Sequence, residues 1–161
     1  MRLVLTELAA RHPNLSGIDS NYRQSGALAM QRSGHRSPAD IRVVSEHDGL
    51  ASGEWEEQPD EDIHDNHRIT EDGAEAWALI YANALPSAWT VERRLQRSES
   101  ADWLLRSGDR YLALEVSGTA GTEAKRRLEE KTAQVGKCTL TGQRMAVVVA
   151  FREPSIWAAS V

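Results

Sequence analysis

Cysteine is nearly absent from this chain of 161 residues: Cys138 is the only one. A single thiol excludes an internal disulfide and suits a reducing compartment, so a cytoplasmic protein is expected. Long apolar runs are missing as well. None approaches the roughly 20 residues that a membrane span needs, and no membrane partner is expected. The opening Met1-Arg2-Leu3-Val4-Leu5 reaches Glu7 too soon for the apolar core of a signal peptide. An excess of positive charge is also missing. The net charge is −5, which argues against a broad nucleic-acid footprint, because such affinity rests on neutralising phosphates. Phenylalanine occurs once against five tryptophans; no function is read from that.

What remains is ordinary for one globular domain. The length suits a single unit, and 40% hydrophobic with 27% charged residues is a normal balance. The charge is unevenly spread. Acids concentrate between Glu46 and Asp72, while Lys and Arg are frequent from Arg93 to Arg152. The C-terminal half is therefore the better candidate for an anionic substrate.

Residues 1–68 are weakly periodic and are read as an N-terminal extension that packs on a core of residues 69–161. Leu3 to Arg11 suggests a short helix stopped before Pro13, and Asn21 to Arg32 a second. Ile41 to Ser45 and Ala51 to Glu56 flank His47-Asp48-Gly49, a hairpin signal. The acidic stretch Glu56 to Asp62, with Pro59, reads as a solvated loop. From Ile69 the signals sharpen. Thr70 is the expected N-cap of a helix whose apolar stripe is Ala74, Trp77, Ala78, Tyr81 and Leu85, ended by Pro86. Strands follow at Trp89 to Gln96, Ala101 to Leu105 and Tyr111 to Ser117. Thr122 to about Lys137 is a helix. Met145 to Phe151 is a nearly continuous apolar run, as in a strand buried on both faces.

The segment Ala101 to Ser117 carries the chemistry. With Gly108-Asp109 as a two-residue turn, Ser107 falls opposite Arg110, Leu105 opposite Leu112 and Trp103 opposite Leu114. Asp102 then faces Glu115. Like charges across a strand pair are destabilising, and a hard divalent cation between them is one explanation. The plainer alternative is a pair of solvated acids neutralised by Arg93 or Arg94 on the neighbouring strand. On the next helix Ala124, Leu128, Lys131 and Val135 form the stripe facing the sheet, with Gln134 beside it. A lysine on that stripe must meet a charge or reach solvent.

This order of elements and acids resembles the PD-(D/E)xK phosphodiesterases, the restriction-endonuclease-like nucleases. Their shared core is helix, three strands, helix, strand. The family carries an Asp on the second strand and (D/E)-x-K on the third, matched here by Asp102 and Glu115. The resemblance spans residues from about 69 to 151. It implies an α/β fold with a mixed central sheet flanked by helices. It also implies Mg²⁺ or Mn²⁺ held by Asp102, Glu115 and the backbone carbonyl of Val116, with Glu75 on the first core helix assisting. The implied activity is hydrolysis of nucleic acid, DNA before RNA, and the implied assembly a homodimer. Ser117 stands where the family has lysine. Some members carry that lysine on the following helix, which makes Lys131 the catalytic candidate, with Gln134, Ser117 and Thr119 as substrate-binding residues. If Lys131 does not reach the acids, the alternative is a non-catalytic module of the same fold that binds nucleic acid or protein.

Three other motifs carry less. His64-Asp65-Asn66-His67 lacks a cysteine partner and reads as solvated. Gly118 to Thr122 precedes a helix and resembles an anion-binding loop without the Gly-Lys-Ser/Thr ending of a P-loop. Ser117 has no nucleophile elbow and no histidine after it.

Overall fold

The apolar run near the C-terminus forms the centre of one sheet. In the computed structural model, which describes residues 1–46, 48–61 and 65–161, every residue from Met145 to Ala150 is buried. In chain order the strands are β1 (Arg2–Val4), β2 (Ala39–Val44), β3 (Gly49–Glu54), β4 (Thr90–Arg94), β5 (Trp103–Ser107), β6 (Arg110–Thr119), β7 (Gln143–Ala150) and β8 (Ser155–Ser160). They make one eight-stranded sheet in the order β1-β3-β2-β8-β7-β6-β5-β4. The sheet is mixed: β6 and β7 are parallel, as are β2 with β8 and β1 with β3, while the other pairs are antiparallel. No helix among the described residues is long and apolar enough to cross a membrane.

The helices are α1 (Leu8–Arg11), α2 (Asp19–Arg32), α3 (Asn66–Ala84) and α4 (Ala124–Val135). α3 is buried along its middle, from Gly73 to Ala82, because it lies between the sheet and α2. Alternation along β6 separates two cores. Leu112, Leu114 and Val116 join Trp103 and the α3 residues on one face. Ala113 joins Val135, Cys138 and Ala146 on the face that α4 covers. α4 itself is the crossover between parallel β6 and β7, as such a pair requires.

Residues 1–68 supply three strands of this same sheet, joined to the rest through β2 and β8. Leu3 and Val4 are in a strand rather than a helix, while Leu5–Glu7 forms a 3-10 turn that runs into the α-helix Leu8–Arg11. Leu3 is fully buried beside β3, so pairing and burial override the helical pattern. α3 begins four residues before Thr70. Asp65 caps it, accepting the backbone N–H of His67 at 3.0 Å, while Thr70 turns its hydroxyl onto the Asn66 carbonyl. The hairpin of β2 and β3 is present, with Ile41 opposite Ala51. His47 in its turn, and Asp62, Ile63 and His64 in the acidic segment, lie outside the described residues, so the His64 motif is described only at Asp65 to His67.

Candidate functional site

The β5–β6 hairpin has the register that its turn demands. Ser107 pairs with Arg110, Leu105 with Leu112 and Trp103 with Leu114. Gly108 has φ +59° and Asp109 is not left-handed, which makes a primed turn with glycine first. The ladder stops at Trp103. The Asp102 N–H bonds the Leu114 carbonyl at 3.0 Å, although Leu114 already pairs with Trp103. Two residues of one strand thus oppose one of the other, a bulge arrangement that re-aims a side chain. Asp102 therefore does not sit square across from Glu115. Its Oδ2 instead accepts the Val116 N–H at 2.8 Å, on the edge of β6 that β5 has left. The N–H and C=O of a strand residue point to the same side, so the Val116 carbonyl faces this edge too.

Glu115 lies beneath α4 with its side chain 2% exposed. Lys131 reaches it: Nζ donates to Oε1 at 2.5 Å and to Gln134 Oε1 at 3.3 Å. Oε2 is buried and has no hydrogen-bond partner. Burial pushes the Glu115 carboxyl up to about 7. The nearby charge of Asp102 pushes the same way, and the Lys131 ammonium pulls against both. A buried carboxylate oxygen without a hydrogen bond, close to the Asp102 carboxylate, offers oxygen donors of the kind that suit a hard cation such as Mg²⁺ or Mn²⁺. Among the described residues no group of three or more His, Cys, Asp or Glu is placed to hold a metal. Two carboxylates can suffice for Mg²⁺, which keeps waters and substrate oxygens as its other ligands.

The structure thus brings together Asp102, Glu115, Val116, Lys131 and Gln134. Glu75 lies near enough to Asp102 for that carboxylate to raise its pKa, but it is engaged elsewhere. Glu75 sits on the α3 face of the sheet with both oxygens taken. Arg94 holds it at 2.8 and 3.0 Å, and Trp103 Nε1 donates to it at 3.0 Å. Burial raises its carboxyl pKa, and Arg94 opposes the rise. The same guanidinium donates to the Tyr22 hydroxyl and lies 4.8 Å over the Trp103 ring. Arg93 pairs with Glu99 at 2.7 Å. In this arrangement the ion-pair partner of Glu115 is Lys131.

Ser117 and Thr119 are buried toward the end of β6. Thr119 Oγ1 accepts the Gly121 N–H at 3.0 Å, and Ser117 Oγ accepts from Arg127 at 3.1 Å. Sequence reasoning missed Arg127. The signal was available: Arg127 stands four residues before Lys131, on the same stripe of α4. Gly118, between them, is where β6 meets α3. A Cβ there would collide with the Thr70 carbonyl and come within 3.0 Å of Ala74 Cβ. Two clefts flank this end of the strand. One of about 530 Å³ is lined by Arg32, Ile69, Thr70, Ala120 and Phe151, and one of about 320 Å³ includes Thr119 and Arg127. Neither is lined by Asp102 or Glu115.

The class that the fold itself defines is an α/β protein with a mixed eight-stranded sheet flanked by helices. Comparison with protein-family models, with curated proteins and with solved structures gives no match for this chain.

Proposed function

We propose that this chain is a metal-dependent phosphodiesterase acting on nucleic acid, DNA before RNA, with a restriction-endonuclease-like core in α3, β4, β5, β6, α4 and β7. The observation that carries the reading is the buried Glu115 carboxylate, bonded to Lys131 through one oxygen and unpartnered at the other. Asp102, Glu115 Oε2 and the Val116 carbonyl would hold Mg²⁺ or Mn²⁺. When bound, such a cation supplies Lewis acidity, neutralising phosphoryl charge and making water a stronger acid.

The protein's own groups do the rest. Lys131 uses two of its three N–H donors on Glu115 and Gln134, which fixes the ammonium beside the carboxylates. The third donor is left for the attacking water or a phosphate oxygen. That fixed charge stands in for the lysine missing at Ser117, and a preorganised charge of this kind acts on developing negative charge without reorganising. Asp102 is held by its bond to Val116, so it meets a ligand in one orientation.

One observation favours a second reading, a non-catalytic module of the same fold. Glu75 is consumed by Arg94 and Trp103, which leaves two carboxylates rather than three. Cleavage assays on single- and double-stranded DNA and RNA with Mg²⁺ or Mn²⁺ separate the two. The nuclease reading expects cleavage abolished by EDTA and by Asp102→Asn, and reduced about a hundredfold or more by Lys131→Ala. Absence of metal-dependent cleavage on all of these substrates would leave the module.

A further inference from the structure

Arg127 precedes Lys131 by one turn of α4, and its guanidinium is anchored from behind. Nη1 donates to Ser117 Oγ and to the Gly118 carbonyl, both at 3.1 Å. These bonds orient the planar head group, while its Nε is buried without a hydrogen bond. The Arg127 side chain is 33% exposed and forms part of the cleft of about 320 Å³. Thr119, Gly121 and Glu123 line that cleft on one side, and His67, Thr70 and Glu71 from α3 on the other.

Glu123 already puts an oxyanion there. Its carboxylate stands 3.4 Å from Arg127 Nε and folds over the Gly121 α-carbon, where a Cβ would collide with it. Its own backbone N–H, the Thr119 hydroxyl and Arg127 together hold its carboxyl below the usual range. An N–H, an O–H and a guanidinium converging on a carboxylate make a set that recognises phosphate equally well.

We propose that Arg127, Thr119 and the loop from Gly118 to Gly121 form a phosphate subsite for the nucleic-acid backbone beside the carboxylate pair. Glu123 is the resident anion that a backbone phosphate displaces. The assignment to nucleic acid rests on the nuclease reading above, since the chemistry alone would also accept free phosphate.

The test uses the full chain in EDTA, so that nothing turns over. Binding of a short fluorescein-labelled oligothymidylate is followed by anisotropy over a range of salt. Arg127→Lys keeps the charge but loses the fork, and should weaken binding about tenfold. Arg127→Met should weaken it further and reduce the slope of log K against log salt by about 0.7, as for one lost contact to a single strand. Glu123→Gln should tighten binding about threefold, by removing the competing carboxylate and its exposed ion pair. Wild-type affinity in both Arg127 variants, at unchanged melting temperature, would overturn the subsite. So would weaker binding in Glu123→Gln, or no binding by the wild type. Inorganic phosphate that competes as well as the oligonucleotide, mole for mole, would overturn the assignment to nucleic acid. Metal-dependent cleavage with Arg127 variants that bind normally sinks this inference alone; the predicted binding pattern without any cleavage sinks the nuclease reading alone.

Discussion

Glu115→Gln should make the protein less sensitive to pH, in a direction that the site dictates. The Glu115 carboxyl is pushed from its ordinary 4.5 up to about 7, by burial first and then by the charge of Asp102. The folded protein therefore binds this proton more tightly than the unfolded chain does. The stability that the proton contributes is complete below pH 4.5 and is lost as the pH rises through 7. Its size follows from the shift, at 1.36 kcal/mol per pH unit, and comes to about 3 kcal/mol. Glutamine fills the same space, can still accept from Lys131 and does not titrate. Urea unfolding of wild type and variant in EDTA, from pH 4.5 to 8, reads the effect of Glu115 together with its coupled neighbours Asp102 and Lys131, since more distant groups cancel in the difference. The variant should gain about 3 kcal/mol on the wild type across that window, roughly 10 °C in melting temperature for a chain of this length. Added Mn²⁺ should shrink the gain, because the cation stabilises the charged carboxylate. A difference that stays flat with pH, or that shrinks as pH rises without metal, would refute the reasoning.

Two further outcomes follow from the same structure. His12 is fully buried, with Nδ1 accepting from the Val91 N–H at 3.1 Å and Nε2 bonded to the Leu79 carbonyl at 3.0 Å. Burial lowers its pKa to about 4, so its contribution is complete above pH 6.5 and is lost as pH falls toward 4. Against His12→Gln, the wild type should lose about 3 kcal/mol of relative stability over that range, read by the same unfolding series; an equal response to acid in both would contradict the assignment. Gly118→Ala sets a Cβ against the Thr70 carbonyl and Ala74. Backbone cannot move aside cheaply, so a loss of about 3 kcal/mol is expected in chemical denaturation, and an unchanged midpoint would show that β6 and α3 are less tightly apposed.

The hairpin register was readable because strand side chains alternate and a two-residue turn beginning with glycine fixes the pairing. The inward position of Lys131 was readable from the helical period, and its contact with Glu115 agrees. The bulge at Asp102 was not, since it depends on which backbone donor finds the Leu114 carbonyl. Nor was the sequestration of Glu75, because Arg94 and Trp103 reach it from separate strands. The strand Ser155–Ser160 was not legible because Ile156 and Trp157 among Ser and Ala make a weak pattern; it pairs along its length with β7. β1 was hidden by a periodicity that suits a helix equally well. In both cases a neighbouring strand, distant in sequence or just preceding, decides the conformation.

The proposed function requires that the Glu115 oxygen left without a hydrogen bond, together with Asp102 and the Val116 carbonyl, receive a divalent cation. Anomalous scattering from crystals grown with Mn²⁺ tests it directly. One manganese peak is expected in contact with Glu115 Oε2, an Asp102 oxygen and the Val116 carbonyl, absent in Asp102→Asn. Manganese bound elsewhere, or none at all while Glu115 keeps Lys131 as its only partner, would contradict it.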